Sequence, residues 1–261
     1  MSSRESIKQE ILRKFRQEVK GMAPDLREFN SRHDGAEGDW LTKRMGLTVN
    51  GKNEPDFKGF EMKKESPKTT FGDWSPNLTL YKKDPLTSQR RLSRLEFLQI
   101  FGHPSSDQSG RKLGRYSWSG TVFPKVDQIN YFGQTLTIDN SHNVRAIYSF
   151  MDDQRDSKKR TVPEDLQRSD LILVQWSAEV LQTKLEKKFN NLGWFKCFKD
   201  EDGKYSGIQF GYPIDFEFFI EKVRTGEIFC DCGMHSDNPR PYFPWRANKR
   251  FWDSLAEEII Y

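Results

Sequence analysis

The chain has 261 residues, 35% hydrophobic and 31% charged, and its aromatics reach 13% with 20 Phe and 7 Trp. So aromatic a chain is not a disordered one, and its length allows one large domain or two small ones around a substantial core. The 42 basic and 38 acidic residues leave a net charge of only +4, which still permits a basic cleft beside acidic sites.

The N-terminal MSSRESIKQEILRKFRQEVK is charged throughout and lacks the apolar core of a signal peptide. Within it Ile7, Ile11, Phe15 and Val19 recur every fourth residue and predict a helix stopping near Gly21. A second short helix is expected from Asp39 to Met45, ending at Gly46. EPDFKGFEMKKE follows, where Phe60 and Met62 alternate with Glu61, Lys63 and Glu65; this reads as a strand with one apolar and one charged face. NLTLYKK (77–83) is a second strand candidate, and RRLSRLEFLQIFG (90–102) reads as helical or irregular.

QTLTID and NVRAIYSF, split by Asn140-Ser-His142, form an expected hairpin, and the polar 151–165 segment an exposed loop. LILVQW (171–176) fits a buried strand. Ser177 can cap the next helix, which carries Leu181, Leu185 and Phe189 on one face with Gly193 beyond its end. WFKCFKDEDGKYSGIQFGY reads as a hairpin around Asp202-Gly203. A helix with Phe216, Phe219, Ile220 and Val223 then leads to the short strand IFCDC, the Pro-containing loop GMHSDNPRPYFPWRA and a final helix KRFWDSLAEEII. An α/β or α+β core fits this order. No stretch approaches the roughly eighteen apolar residues of a membrane span, so a soluble, cytoplasmic chain is expected. Cys197, Cys230 and Cys232 are too few, and odd in number, for a disulfide framework, and Cys230-x-Cys232-x-x-His235 does not match common zinc spacings.

The chemistry concentrates at residues 54–63. Glu61 and Lys63 share a strand face, and Gly59 lets Asp56 fold back beside them. Two carboxylates plus a carbonyl such as that of Met62 would suit Mg²⁺, which could polarise a phosphodiester while Lys63 orients the attacking water or neutralises charge on the phosphate. The plain alternative is a solvated face, since acid-x-Lys also occurs at Glu18, Asp56, Asp156, Glu186 and Asp202. Only Glu61-Met-Lys63 combines a strand with an upstream acid and Pro/Gly punctuation.

Taken together, GAEGDWLTKRMGL (35–47), NEPDFKGFEMK (53–63), TTFGDWS (69–75), the region from LGRYSW (113–118) to FGQTLTID (132–139), GWFKC, FGYPI and CGMHSDNPRPYFPWRA (232–247) resemble the MvaI/BcnI family of type II restriction endonucleases. That family lies in the MutH-like branch of the PD-(D/E)xK nucleases. The resemblance covers most of the chain beyond residue 30. It implies a restriction-endonuclease-like fold with a mixed sheet flanked by helices and two lobes around a DNA cleft, a catalytic lobe near 30–170 and a recognition lobe near 171–261. It implies a Mg²⁺-dependent, monomeric endonuclease cutting duplex DNA at a short C/G-rich site of the CC-GG kind, with a cognate DNA methyltransferase in the host. Asp56 and Glu61 would hold the metal with the Met62 carbonyl, and Lys63 would be the catalytic lysine. The sequence departs from the family at Thr42, where a glutamate is usual; Glu37 is the nearest acid.

Guanine edges suit arginine, so Arg240 and Arg246 on the Pro-stiffened C-terminal loop, with Asp231, His235, Asn238 and Tyr242, are candidate base readers. The same arginines would face solvent on an ordinary packed loop. Arg111, Lys112, Arg115 and the run Lys158-Lys159-Arg160 are candidate phosphate contacts. Trp40 and Trp74 are expected in the core. A strand-nicking repair enzyme and a non-catalytic DNA-binding module, in which Glu61 and Lys63 merely pair, are the alternative readings.

Overall fold

The computed structural model describes residues 3–27, 35–48, 51–82, 92–105, 110 and 112–261. Helix α1, Ser3–Glu18, forms where the apolar spacing places it, burying Ile11, Leu12 and Phe15. Helix α2 runs Ala36–Arg44. The chain then reverses in a two-residue turn: Phe57 and Phe60 exchange backbone hydrogen bonds of 2.9 and 2.8 Å, with Lys58 at φ 46° and Gly59 at φ 93°. Positive φ at both central positions gives the twist that suits a tight hairpin. Strand β1, Phe60–Lys64, leaves this turn.

Next come β2, Lys68–Asp73, and β3, Leu78–Thr79, which is all that forms of the NLTLYKK strand among the described residues. The ambiguous 90–102 stretch holds α3, Arg94–Phe101, because Ser93 and Glu96 close a reciprocal capping box at its start. Short strands β4, His103–Pro104, and β5, Tyr116–Ser119, precede the expected hairpin of β6, Phe132–Ile138, and β7, Val144–Asp153. The polar 151–165 segment is not a plain exposed loop. It carries the end of β7, a helical turn α4, Lys158–Thr161, and a 3-10 turn, Glu164–Leu166. Its polarity misleads because its groups satisfy one another: buried Asp153 accepts from Tyr148 Oη at 2.9 Å and from Arg155 at 2.6 Å.

Strand β8, Leu171–Trp176, helix α5, Ala178–Phe189, the hairpin β9, Gly193–Lys199, with β10, Tyr205–Gly211, and helix α6, Phe216–Arg224, all follow expectation. Two corrections come after them. The C-terminal loop contains strands β12, Gly233–His235, and β13, Pro244–Asn248, following β11, Ile228–Cys230. The final helix α7 stops at Ser254, spanning Lys249–Ser254, and Ala256–Ile260 becomes strand β14. Ile259 and Ile260 pair with Gln209 and Ile208 of β10, where their β-branched side chains suit a strand.

The described chain divides into two compact units. The first comprises Met1–Thr69, Thr183–Phe218 and Ala247–Tyr261, and the second Thr70–Gln182 and Phe219–Arg246. The first is built on the sheet β1-β9-β10-β14, with β1 parallel to β9 at the edge and the other pairs antiparallel. Its main core joins Ile11, Phe15 and Val19 to Trp40, Leu41, Phe60, Met62, Phe195 and Phe210. The second holds an antiparallel sheet β3-β8-β7-β6 and a smaller one, β12-β5-β4. There a buried Gln134 accepts from Trp118 Nε1 and donates to the Phe101 carbonyl, each at 2.7 Å, so its amide is satisfied inside the core.

Candidate active site

β1 is buried on both faces, which sequence alternation alone did not anticipate: its charged face is covered, not solvated. Phe60 and Met62 enter the main core, while Glu61 and Lys63, only 1% and 7% exposed, face the other way. Helix α5 is among what covers them, since Lys63 Nζ lies 5.1 Å from the centre of the Phe189 ring. Lys63 Nζ donates to Glu61 Oε1 at 2.6 Å. Lys188 Nζ approaches the same oxygen at 3.1 Å. Glu61 Oε2 is buried, with no hydrogen-bond partner among the described residues.

The turn at Lys58-Gly59 brings Asp56 back alongside β1, where its Oδ2 accepts the Met62 backbone N–H at 2.9 Å. Glycine is required at 59 twice over, by its φ of 93° and because a Cβ would sit 3.0 Å from Leu192 Cγ. Burial pushes the Glu61 carboxyl above its ordinary range, against the pull of Lys63 and Lys188 and with the repulsion of Asp56. Burial likewise pushes the Lys63 ammonium down, against the pull of Glu61. A titrating acid–base pair displaced this way by burial marks a site of chemistry more often than a solvated face does.

Thr42 donates its hydroxyl to the Gly38 carbonyl one turn back, at 2.8 Å, so it serves its own helix. Glu37 does not replace the missing acid. It binds Lys199 at 2.8 Å, accepts from Tyr205 Oη at 2.9 Å and lies 3.5 Å from Lys64, whose side chain leaves β1 on the face opposite Glu61. Among the described residues no three His, Cys, Asp or Glu side chains gather around one metal-sized point.

Lys188 and Lys196 went unremarked in the sequence. Lys188 belongs to a Glu-x-Lys triplet set aside as commonplace, yet it lies three residues past Leu185 and so on the inward face of α5, a spacing that could have found it. Lys196, 1% exposed, is level with Lys63 in the β1–β9 register and reaches Asp253 at 2.6 Å. Only the strand pairing reveals that.

The proposed reading residues lie in the second unit. Asp231 and Arg246 pair at 3.5 Å, and Arg246 Nε is buried without a hydrogen-bond partner among the described residues. Arg240 is exposed and paired with Asp73, which also accepts the Phe243 N–H at 2.6 Å. Tyr242 lays its ring over Gly233, where a Cβ would collide with it. Asn238 gives both amide hydrogens to the Gly233 and Arg240 carbonyls and accepts the His235 N–H, so it braces the loop from within. His235 Nδ1 accepts the Asp237 N–H at 3.2 Å. Burial, then Arg115, Arg94 and Lys112, hold its pKa down, which leaves a neutral ring with Nε2 as donor. Arg115 Nε is buried, with no hydrogen-bond partner among the described residues; Arg111 lies outside the described residues. Lys158 donates to the Phe150 and Asp153 carbonyls at 2.9 and 2.6 Å and so fastens its own loop. Cys230 and Cys232 are buried thiols, Cys232 pointing at the Trp118 carbonyl. Trp40 and Trp74 are core residues, 5% and 2% exposed.

Residues 19–260 match the LlaMI restriction endonuclease family. The chain belongs to that family. It is 40% identical, over 96% of its length and 97% of the relative's, to the type II restriction enzyme ScrFI of Lactococcus lactis subsp. cremoris. As a family member it is a type II restriction endonuclease, a hydrolase that cuts DNA. Its fold is similar to that of the restriction endonuclease MvaI in a complex with its cognate DNA substrate, at a TM-score of 0.57 and 15% identity over 100% of this chain and 98% of that one. The mixed α+β, restriction-endonuclease-like fold expected from the sequence is therefore the one observed.

Proposed function

We propose that the chain is a Mg²⁺-dependent endonuclease cutting duplex DNA at a short C/G-rich site of the CC-GG kind, with Asp56, Glu61 and Lys63 as its catalytic set. The observation that carries this is the buried Glu61 Oε2, an acceptor with no hydrogen-bond partner among the described residues. Set beside Asp56 and the Met62 backbone, it fits a hard cation that takes few protein oxygens and keeps most of its waters. A divalent cation bound there would supply Lewis-acid stabilisation of charge on the scissile phosphate.

The chain's own part is positional. The Met62 N–H fixes Asp56 through Oδ2 and leaves Oδ1 free to face the cation. Lys63 occupies Glu61 Oε1 and so directs Oε2 the same way. Its ammonium, shielded from bulk water, can hold the attacking water and offset charge developing on the phosphate. Arg240, Arg246, Asp231, His235 and Tyr242 are the proposed readers, Arg115 a phosphate contact, and Asn238 the brace that presents the loop. A monomer with two protein carboxylates per centre and a host methyltransferase complete the reading.

Plasmid incubated with Mg²⁺ should give discrete fragments whose sequenced ends share one C/G-rich site. Glu61→Ala, Lys63→Ala and EDTA should each abolish them. Cleavage that survives in both variants would remove these residues from the chemistry, and nicks alone would favour the strand-nicking alternative.

A further inference from the structure

We infer that Lys188 is a positioning residue of the cleavage site, acting through Glu61 to aim its free oxygen at the cation; this rests on the proposed role of Glu61 as a ligand. Glu61 Oε1 lies against two ammonium groups, Lys63 Nζ at 2.6 Å and Lys188 Nζ at 3.1 Å, while Oε2 has no hydrogen-bond partner among the described residues. A carboxylate with one oxygen doubly engaged cannot exchange its two oxygens by rotation without breaking both contacts. The two lysines also come from different elements. Lys63 shares β1 with Glu61, whereas Lys188 sits on the last turn of α5, 127 residues further along the chain, with a side chain 16% exposed.

Lys188 is therefore the contact that ties Glu61 to the helix packed over it. Lys63 alone fixes the distance along the strand; Lys188 adds a second direction and holds the carboxylate plane. Such outer contacts on a ligand typically matter about 10- to 100-fold in metal affinity.

The test compares native protein with Lys188→Met and Lys188→Arg. Two readouts are used: free Mn²⁺ measured by electron paramagnetic resonance during titration of the protein, and the Mg²⁺ concentration giving half-maximal plasmid cleavage. In Lys188→Met both midpoints should rise by about 10- to 100-fold, with the KM for plasmid unchanged, while Lys188→Arg, which keeps the charge, recovers most of the loss. Thermal melting checks that both variants fold; should Lys188→Met not fold, Lys188→Gln takes its place. Unchanged cation midpoints in the neutral variant overturn the inference. So does a lower kcat or a higher KM for plasmid at an unchanged midpoint, which would put Lys188 on the DNA instead. If Glu61→Ala still cleaves, the assignment of the site itself fails; if Glu61→Ala is inactive and Lys188→Met behaves as native, only the role of Lys188 does.

Discussion

Lys63 and Glu61, two residues apart on one face of an edge strand, form a 2.6 Å ion pair of which neither member is more than 7% exposed. Desolvating two charges can cost more than an isolated pair returns, so the pair need not add net stability to the fold. Removing one member leaves the other buried and uncompensated. Glu61→Ala should lower unfolding free energy by about 3–5 kcal/mol, and Glu61→Leu with Lys63→Met should recover much of that while staying inactive. Urea unfolding of the single and double variants checks this; a double variant no more stable than Glu61→Ala would show that the pair holds the fold together.

Gly59→Ala places a Cβ at φ 93° and against Leu192. A cost of about 1–2 kcal/mol is expected from backbone handedness alone, with a much larger loss of cleavage because the turn sets where Asp56 lies. Gly21→Ala is the control. It also stands at positive φ, 80°, but with nothing within 4 Å of its Cβ, so it should lose comparable stability and keep its cleavage. Equal effects of the two on cleavage would separate the turn from the site.

Acid should loosen the first unit through three carboxylates. Burial raises the Glu37 pKa, but hydrogen bonds from Lys199 and Tyr205 outweigh it and hold it below the ordinary 4.5. Asp253 is likewise raised by burial and held below 3.8 by Lys196 and Lys249, and Arg4 holds Glu257 below 4.5. Lowered folded pKa values mean that this stability is complete above about pH 4.5 and lost as pH falls through the folded values. Urea midpoints taken from neutral pH downward should fall below that point, and Glu37→Gln should flatten the fall.

Arg240→Ala should relax the cleaved sequence, since a good bidentate arginine contact discriminates by about 1–3 kcal/mol. Asn238→Ala should slow cleavage at an unchanged sequence, because Asn238 holds the shape of the loop. Sequencing of fragment ends separates the two. Unaltered ends in Arg240→Ala would take that residue out of the reading.

How much was legible follows the physics of each element. The long helices and the hairpins around Asn140-Ser-His142 and Asp202-Gly203 declare themselves through periodicity and turn residues, which are local. Asp56, Glu61 and Lys63 were legible because a strand's alternation and a glycine's freedom bring them together without help from afar. Lys188 and Lys196 were not, because a parallel pairing of β1 with β9 and the packing of α5 place them, and neither leaves a trace in neighbouring residues. Asp153 and the β14 strand misled for the opposite reason: polarity and helical propensity gave way to Arg155 and to a vacant edge of β10.

The first unit is completed late in synthesis. Asp56, Glu61 and Lys63 are made by residue 63, but the strand that flanks β1 and the Phe189 and Lys188 beside it follow only after the 70–182 segment, and the unit's last strand ends at Ile260. A ribosome part-way through the message therefore holds Asp56, Glu61 and Lys63 without the β9 pairing and the α5 packing that bury Glu61 and Lys63. The setting of these three residues in the first unit is thus finished by segments that follow residue 182 in the chain.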